Sequence, residues 1–112
     1  MDIQTKKHLK DILDAITEVN SYFEDTPKRF DEFFRDIRLR RAIERDVEIM
    51  GEATNRILKV NPDIAITNAR KIVDARNYII HGYDSLSADI LWSIVVNHLP
   101  VLEDEIRGLL EE

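Results

Sequence analysis

Three side chains suited to proton transfer and phosphate chemistry lie within eight residues of one another. They are Arg76, His81 and Tyr83, and the polar residue Asn77 directly follows the arginine. A histidine exchanges a proton near neutral pH, and an arginine can neutralise charge that develops on a phosphorus centre. A helical pattern runs into Gly82 here, so we expect the histidine to lie at a helix end.

Each of these residues alone also has a purely structural interpretation. Arg76 lies four residues after Ile72 and three before Ile79, so its stem can pack on the apolar face while its guanidinium reaches solvent. His81 can be a histidine satisfied at a helix end, and Tyr83 a packing aromatic with a solvated hydroxyl. The occurrence of all three together favours a site.

Cleavage of RNA by its own 2′-hydroxyl needs a base, an acid and a cation near the phosphate. Arg76 and His81 can supply these functions without a metal. Five residues on an ideal helix turn a side chain by about 140°, so the two residues do not share a face unless the helix end loosens at Gly82. The spacing therefore suits a site at a helix terminus or one across a dimer axis. A two-fold dimer would bring two copies of both residues together, and we therefore expect a composite site at a dimer interface.

The acidic residues do not form a recognisable metal motif. Glu44, Glu48 and Glu52 make a row at every fourth residue of a predicted helix, but the chain contains no Glu-x-x-His and no His-Glu-x-x-His. The row is better explained as a solvated or ion-paired face, with Arg45 and Arg56 as neighbours. The sequence thus predicts no metal site and no cofactor.

The most basic part of the chain is a short arginine-rich window. Residues 35–45 carry a net charge of +3, because they include five arginines and only two acidic residues, Asp36 and Glu44. These arginines contact either phosphate or an acidic partner, or pair with nearby acids such as Asp31 and Glu32, and the sequence supports both readings equally. The window contains Arg35, Arg38, Arg40, Arg41 and Arg45, of which Arg38, Arg41 and Arg45 are candidate RNA or partner contacts.

Composition limits the class of protein. The chain has 112 residues, no cysteine, 44% hydrophobic residues and a formal net charge of −6. This size predicts a single domain, and the absence of cysteine excludes disulfides and thiolate chemistry. A nucleic-acid binder of this charge must use a local patch. No apolar run approaches the length of a membrane span, so we expect a cytoplasmic protein that does not insert into a membrane.

Helical periodicity dominates the chain and predicts an all-α fold. We expect a first helix that begins at Asp2 and is ended by the segment Glu24–Pro27. A short second helix follows over residues 28–34, and then a long helix over residues 36–60 that contains Gly51. An interior glycine is tolerable if another backbone packs close to it.

Two further helices complete the prediction, an antiparallel bundle of four long helices with a possible short fifth. The next helix begins near Ala65 or Thr67 and ends at Ile80. The last begins after Ser87, a good N-cap residue, and Pro100 kinks or divides it.

The sequence resembles the HepT-like branch of the HEPN superfamily. The branch carries Arg-x4-His followed by x-Tyr, which here is Arg76, His81 and Tyr83. The block Arg41–Ala53, which ends in Glu-Ile-Met-Gly-Glu-Ala, is also similar to the family pattern, as are the downstream Leu99-Pro100 and the early Asp-Ile-Leu. The resemblance covers nearly the whole chain.

The resemblance implies a single HEPN-like helical domain over residues 1–112, a homodimer and metal-independent endoribonuclease activity. It implies Arg76 and His81 as catalytic residues and Asn77 as a residue that positions substrate. It further implies a toxin of a type VII-like toxin–antitoxin pair, whose partner is a minimal nucleotidyltransferase that silences the toxin by AMPylation of Tyr83.

A second function remains open, a non-catalytic dimeric module that binds a nucleotide or a partner and is associated with a nucleotidyltransferase. The acidic net charge favours this alternative, as does Asp74 near the motif.

Overall fold

A computed structural model describes residues 1–81 and 86–111 of the chain. Within these residues the protein is helical, without strands, and its helices follow one another in an antiparallel arrangement around one apolar core. The elements are α1 (Ile3–Ser21), α2 (Phe30–Arg35), α3 (Ile37–Val60), α4 (Ala69–Ile80), α5 (Ala88–Ser93), a π-helical segment (Ile94–His98) and α6 (Leu99–Glu111).

Helix α1 begins where the sequence predicts it. The Asp2 carboxylate accepts hydrogen bonds from the Thr5 amide at 2.7 Å and from the Thr5 hydroxyl at 3.0 Å, which satisfies one of the free N–H groups of the first turn. The apolar face of α1 is fully buried against the core at Leu9, Ile12 and Ile16. The predicted N-cap is thus confirmed.

Helix α2 begins two residues later than the sequence pattern predicts. It spans Phe30–Arg35 rather than residues 28–34. The helix is held by an aromatic cluster. The Phe33 ring is buried with its centroid 4.9 Å from that of Trp92, and Phe30 meets the same indole edge-on at 6.0 Å. These tertiary contacts, rather than local propensity, set the position of so short a helix.

Helices α3 and α4 approach each other closely at Gly51. A Cβ atom at this position would lie 2.2 Å from the Cβ of Arg76 and 2.9 Å from the backbone oxygen of Ile72. No side chain fits in that space, so only a glycine at position 51 lets the two helices approach this closely. Another backbone therefore packs close to Gly51, as expected for an interior glycine of a long helix.

Helix α4 begins at Ala69, later than the predicted Ala65 or Thr67. Asn68 adopts a left-handed conformation with φ 62° immediately before it, and asparagine tolerates that region better than most residues. Ile66 is buried and anchors the connection that precedes the helix. The segment after Pro62 is therefore an ordered loop instead of an extra helical turn.

The last three elements form one continuous helical rod. The Ser87 hydroxyl caps it by accepting the Ile90 amide at 3.2 Å. The ladder widens to π-type before Pro100, and the Leu99 N–H donates to the Ile94 carbonyl. Proline lacks an N–H and its ring clashes with the carbonyl four residues before it, and the wider π turn is the form that the helix takes directly before Pro100. The predicted disturbance at Pro100 thus takes the form of a π segment.

The predicted all-α, HEPN-like bundle is confirmed. Counting the rod of α5, the π segment and α6 as one element, the described part of the chain has four long helices and the short α2. Within residues 1–81 and 86–111, no helix combines the length and the apolar character needed to cross a membrane. Gly82, the predicted cap of α4, and Tyr83 lie outside the described residues.

Candidate functional site

Arg76 lies against α3 rather than on the open surface. Its Cβ packs on Gly51, and only 22% of its side chain is exposed. A half-buried guanidinium needs partners, since removing a charge from water is costly unless the charge is paired and hydrogen-bonded. The close helix contact therefore decides which groups Arg76 can reach.

Two side chains hold the Arg76 guanidinium. The Glu52 carboxylate forms an ion pair with its Nη2, and Asn77 Oδ1 accepts a hydrogen bond from its Nη1 at 3.0 Å. The Nε of Arg76 is buried and has no hydrogen-bond partner. The guanidinium is thus fixed on two sides and keeps one N–H unsatisfied.

Glu52 binds two arginines at once. Its other oxygen accepts from Arg56 Nε at 2.8 Å. The hydrogen bond from Arg56 and the nearby charge of Arg76 hold the pKa of the Glu52 carboxyl below its ordinary value, so the group is ionised at neutral pH. Sequence analysis missed this role because Glu52 and Arg76 are 24 residues apart.

His81 ends α4. Its backbone N–H donates to the Asn77 carbonyl at 3.2 Å, and the residue is exposed. Asn77 lies four residues before His81, on the same side of the helix. Asn77 therefore lies beside both predicted catalytic residues, because its side chain accepts from Arg76 and its carbonyl accepts the ordinary helical hydrogen bond from the His81 N–H.

A polar cleft of about 560 Å³ opens beside Arg76, between α1, α3 and α4. Its walls are lined mainly by charged side chains, and several of its cations are already in ion pairs within the chain. The basic lining residues are Lys7, His8, Arg45, Arg56 and Arg76, and the acidic ones are Asp11, Glu48 and Glu52. The cleft can accept a small anion or a phosphate only by competing with these carboxylates.

A second groove, of about 710 Å³, lies on the other side of α4. It is lined by Tyr78 of α4, Phe34 of α2, Arg40 and Arg41 of α3, and by residues at the start of α5. The Arg40 guanidinium stands 5.8 Å from the centre of the Phe34 ring. This groove combines aromatic surface and positive charge.

The three candidate contact arginines do not form one patch. Arg45 lines the cleft beside Arg76 and pairs with Glu48 at 3.4 Å. Arg41 lines the second groove and pairs with the buried Glu44 at 2.7 Å. Arg38 is exposed near the start of α3. The glutamate row predicted as a solvated or ion-paired face is ion-paired, although Glu44 is buried and also accepts the Leu86 amide at 3.1 Å.

A buried acidic group that the sequence did not indicate lies between α1 and α3. Asp46 is 1% exposed, and its carboxylate is 3.1 Å from the Tyr22 hydroxyl, which itself donates to Glu18 at 2.7 Å. One hydroxyl proton cannot serve two carboxylates. Burial above all, with the nearby charge of Glu18, raises the pKa of Asp46 to about 6.

No group of three histidine, aspartate or glutamate side chains placed to hold a metal ion occurs in the residues that the structure describes.

The chain matches the model of the family described as "Ribonuclease HepT-like" over residues 12–109. It is 30% identical over 106 residues to "Putative RNase MJ1380" of Methanocaldococcus jannaschii, covering 91% of this chain and 93% of that protein. It is 27% identical to "Putative RNase MJ0127" of the same organism, over 93% of this chain and 85% of the relative.

A third relative carries the family name itself. "Probable ribonuclease HepT" of Thermococcus cleftensis is 28% identical, over 93% of this chain and 94% of the relative. No solved structure is similar enough to count as a match.

Proposed function

Because the chain belongs to the HepT-like ribonuclease family, we propose that it is a metal-independent endoribonuclease that cuts RNA by attack of the 2′-hydroxyl on the adjacent phosphate. The 2′-oxygen forms a bond to phosphorus and the bond to the 5′-oxygen breaks, which leaves a 2′,3′-cyclic phosphate and a free 5′-hydroxyl. We further propose that it acts as the toxin of a toxin–antitoxin pair.

The observation that carries this proposal is the connected unit of Arg76, Asn77 and His81. Arg76 neutralises charge on the phosphate as it becomes five-coordinate, and His81 moves the proton to or from the ribose oxygens. Asn77 fixes the guanidinium through its Oδ1 and the turn of His81 through its carbonyl. Positioning of this kind accounts for much of catalysis when no covalent intermediate forms.

Control by a partner follows from charge and size. A minimal nucleotidyltransferase that transfers AMP to Tyr83 adds phosphate charge and bulk two residues after His81. The added negative charge, so close in sequence to His81, opposes binding of the RNA phosphate. The transfer joins the tyrosine oxygen to the α-phosphate of ATP and releases pyrophosphate.

We propose that the working site is composite, formed at a two-fold homodimer interface. Arg76 is held back against α3 by Glu52, whereas His81 lies at the exposed end of α4. In the dimer, each site takes Arg76 from one copy and His81, at the end of α4, from the other copy.

Mixing two inactive variants tests the composite site. Arg76→Ala and His81→Ala proteins are each expected to be inactive, and we expect an equimolar mixture, unfolded and refolded together, to recover about a quarter of wild-type RNA cleavage. Half of the dimers are then mixed, and each mixed dimer holds one intact site. Each variant unfolded and refolded on its own is the control. A mixture as inactive as its components would contradict the composite site.

One observation favours the alternative function. Glu52 forms an ion pair with Arg76 in the isolated chain, which suits a dimeric module that binds a nucleotide or a partner without cutting RNA. In that case the mixture recovers nothing and wild-type protein leaves RNA intact.

A further inference from the structure

We propose that the groove formed by Tyr78, Phe34, Arg40 and Arg41 binds a nucleotide of single-stranded RNA next to His81. This inference rests on the proposed ribonuclease function, because it assigns the substrate a defined place beside the reacting phosphate. We call this groove the Tyr78 groove.

Two aromatic rings of the Tyr78 groove are exposed to solvent. The exposed fractions are 46% for Tyr78 and 55% for Phe34. Single-stranded RNA is recognised largely by stacking of unpaired bases on aromatic side chains, and each base offers an apolar face for that contact. Both rings line the same groove, whose volume of about 710 Å³ leaves room for a nucleotide.

The charge of the groove suits a phosphate. The Arg40 guanidinium lies over the Phe34 ring, and its Nε is buried without a hydrogen-bond partner. Arg41 adds a second cation whose side chain is 57% exposed, although it pairs with Glu44. Within a protein of net charge −6, two adjacent arginines beside exposed rings are the combination that binds the RNA backbone and base together. Asp74 at the rim is the opposing charge.

Two lining residues of the groove, Asp74 and Tyr78, lie on the face of α4 that leads to His81, the predicted proton carrier. Asp74, Tyr78 and His81 are spaced by four and three residues, so they occupy one face of α4 and its C-terminal turn. Tyr78 is three residues before His81, so a base stacked on Tyr78 lies about one helical turn from the predicted proton carrier. Arg76 lies on a different face, toward α3.

A second copy of the chain fits this groove less well than RNA does. The lining carries Arg40 and Arg41 against one acidic residue, Asp74, so a two-fold contact centred here would place two surfaces of net positive charge against each other. Like charges across an interface oppose association. An RNA strand supplies the opposite charge.

The test is binding of a fluorescein-labelled, mixed-sequence single-stranded 12-nucleotide RNA in which every 2′-hydroxyl is replaced by fluorine. This probe cannot be cut by 2′-hydroxyl attack, so binding is measured independently of catalysis. We expect Tyr78→Ala to weaken binding by about tenfold or more and Tyr78→Phe to stay within about twofold of wild type, since the ring remains. Val101→Ala, an equally exposed apolar residue on α6, is the control with no effect.

Sedimentation equilibrium of the same proteins completes the experiment. Unchanged mass with weakened RNA binding for Tyr78→Ala supports the groove as an RNA subsite. A halved mass for Tyr78→Ala would overturn it, because the groove would then be a contact between copies. Equal RNA affinity of Tyr78→Ala and wild type would overturn it as well, as would the absence of probe binding by wild type. Failure of the nuclease activity alone would leave these binding results intact.

Discussion

The state of Arg76 depends on one carboxylate supplied by another helix. Glu52 accepts from Arg76 and Arg56 together, and the Arg56 hydrogen bond and the nearby Arg76 charge lower the pKa of its carboxyl. A guanidinium fixed before substrate arrives needs no reorganisation in the transition state. We therefore regard Glu52 as a residue that positions Arg76.

Glu52→Ala is expected to lower kcat for RNA cleavage by about 10- to 100-fold with a small change in KM, because a misplaced catalytic group costs rate more than binding. Glu52→Gln, which keeps an acceptor for Arg76, should retain more activity than Glu52→Ala. Glu48→Ala is the matched control, since Glu48 lies one turn earlier, has similar exposure and pairs with Arg45. Equal kcat for Glu52→Ala and Glu48→Ala would contradict this role.

At this scale the sequence reveals local relations only. The spacing of Arg76, Asn77 and His81 is visible because all three belong to one helix end. The ion pair with Glu52 depends on how α4 lies on α3, and periodicity does not specify that contact. Gly51, directly before Glu52, was the available signal, since an interior glycine in a long helix indicates a close neighbour.

Among the elements, the contact between α3 and α4 determines the site. Gly51→Ala is expected to lower the free energy of unfolding by about 1–3 kcal/mol and to reduce RNA cleavage, because the new methyl group would lie 2.2 Å from the Arg76 Cβ and force α4 outward. Urea denaturation and cleavage rates of the same protein measure the two effects.

Gly108→Ala in α6 is the matched control with the opposite sign. No atom outside its own helix neighbourhood lies within 4 Å of a Cβ at that position, so alanine should stabilise the protein by about 0.5–1 kcal/mol through its higher helix propensity. If Gly51→Ala behaved like Gly108→Ala, the close helix contact would be wrong.

Element boundaries were predictable where a side chain caps the helix. Asp2, Asp36 and Ser87 each accept an amide of the first turn, and these caps can be read from sequence. The start of α4 could not, because it depends on the left-handed Asn68 and on burial of Ile66. Likewise proline predicts a disturbance near residue 100 but not its π form.

For the whole molecule, Asp46 makes stability depend on pH. Its pKa is raised from 3.8 to about 6 in the folded chain, so between these values the native state holds a proton that the unfolded state releases. The contribution is fully present below pH 4 and is lost as pH rises through about 6. Because a shift of one pKa unit corresponds to about 1.36 kcal/mol, the contribution of Asp46 to the free energy of unfolding is about 1–3 kcal/mol.

Asp46→Asn should remove this dependence, so that the difference in unfolding free energy between variant and wild type changes by that amount between pH 4 and pH 7.5. Urea unfolding at several pH values measures it. Asp14→Asn, an exposed aspartate of α1, is the control. If the difference in unfolding free energy between Asp46→Asn and wild type stayed constant between pH 4 and pH 7.5, Asp46 would not be the group that holds the proton.

The central claim is that the chain is a metal-independent ribonuclease that depends on His81. The most direct measurement is cleavage of mixed cellular RNA by purified protein in EDTA, with wild type beside His81→Ala and His98→Ala, and an intact mass to confirm that Tyr83 carries no AMP. We expect wild type and His98→Ala to produce 2′,3′-cyclic phosphate ends while His81→Ala produces none. Intact RNA with unmodified wild type, or equal cleavage by His81→Ala, would contradict the account.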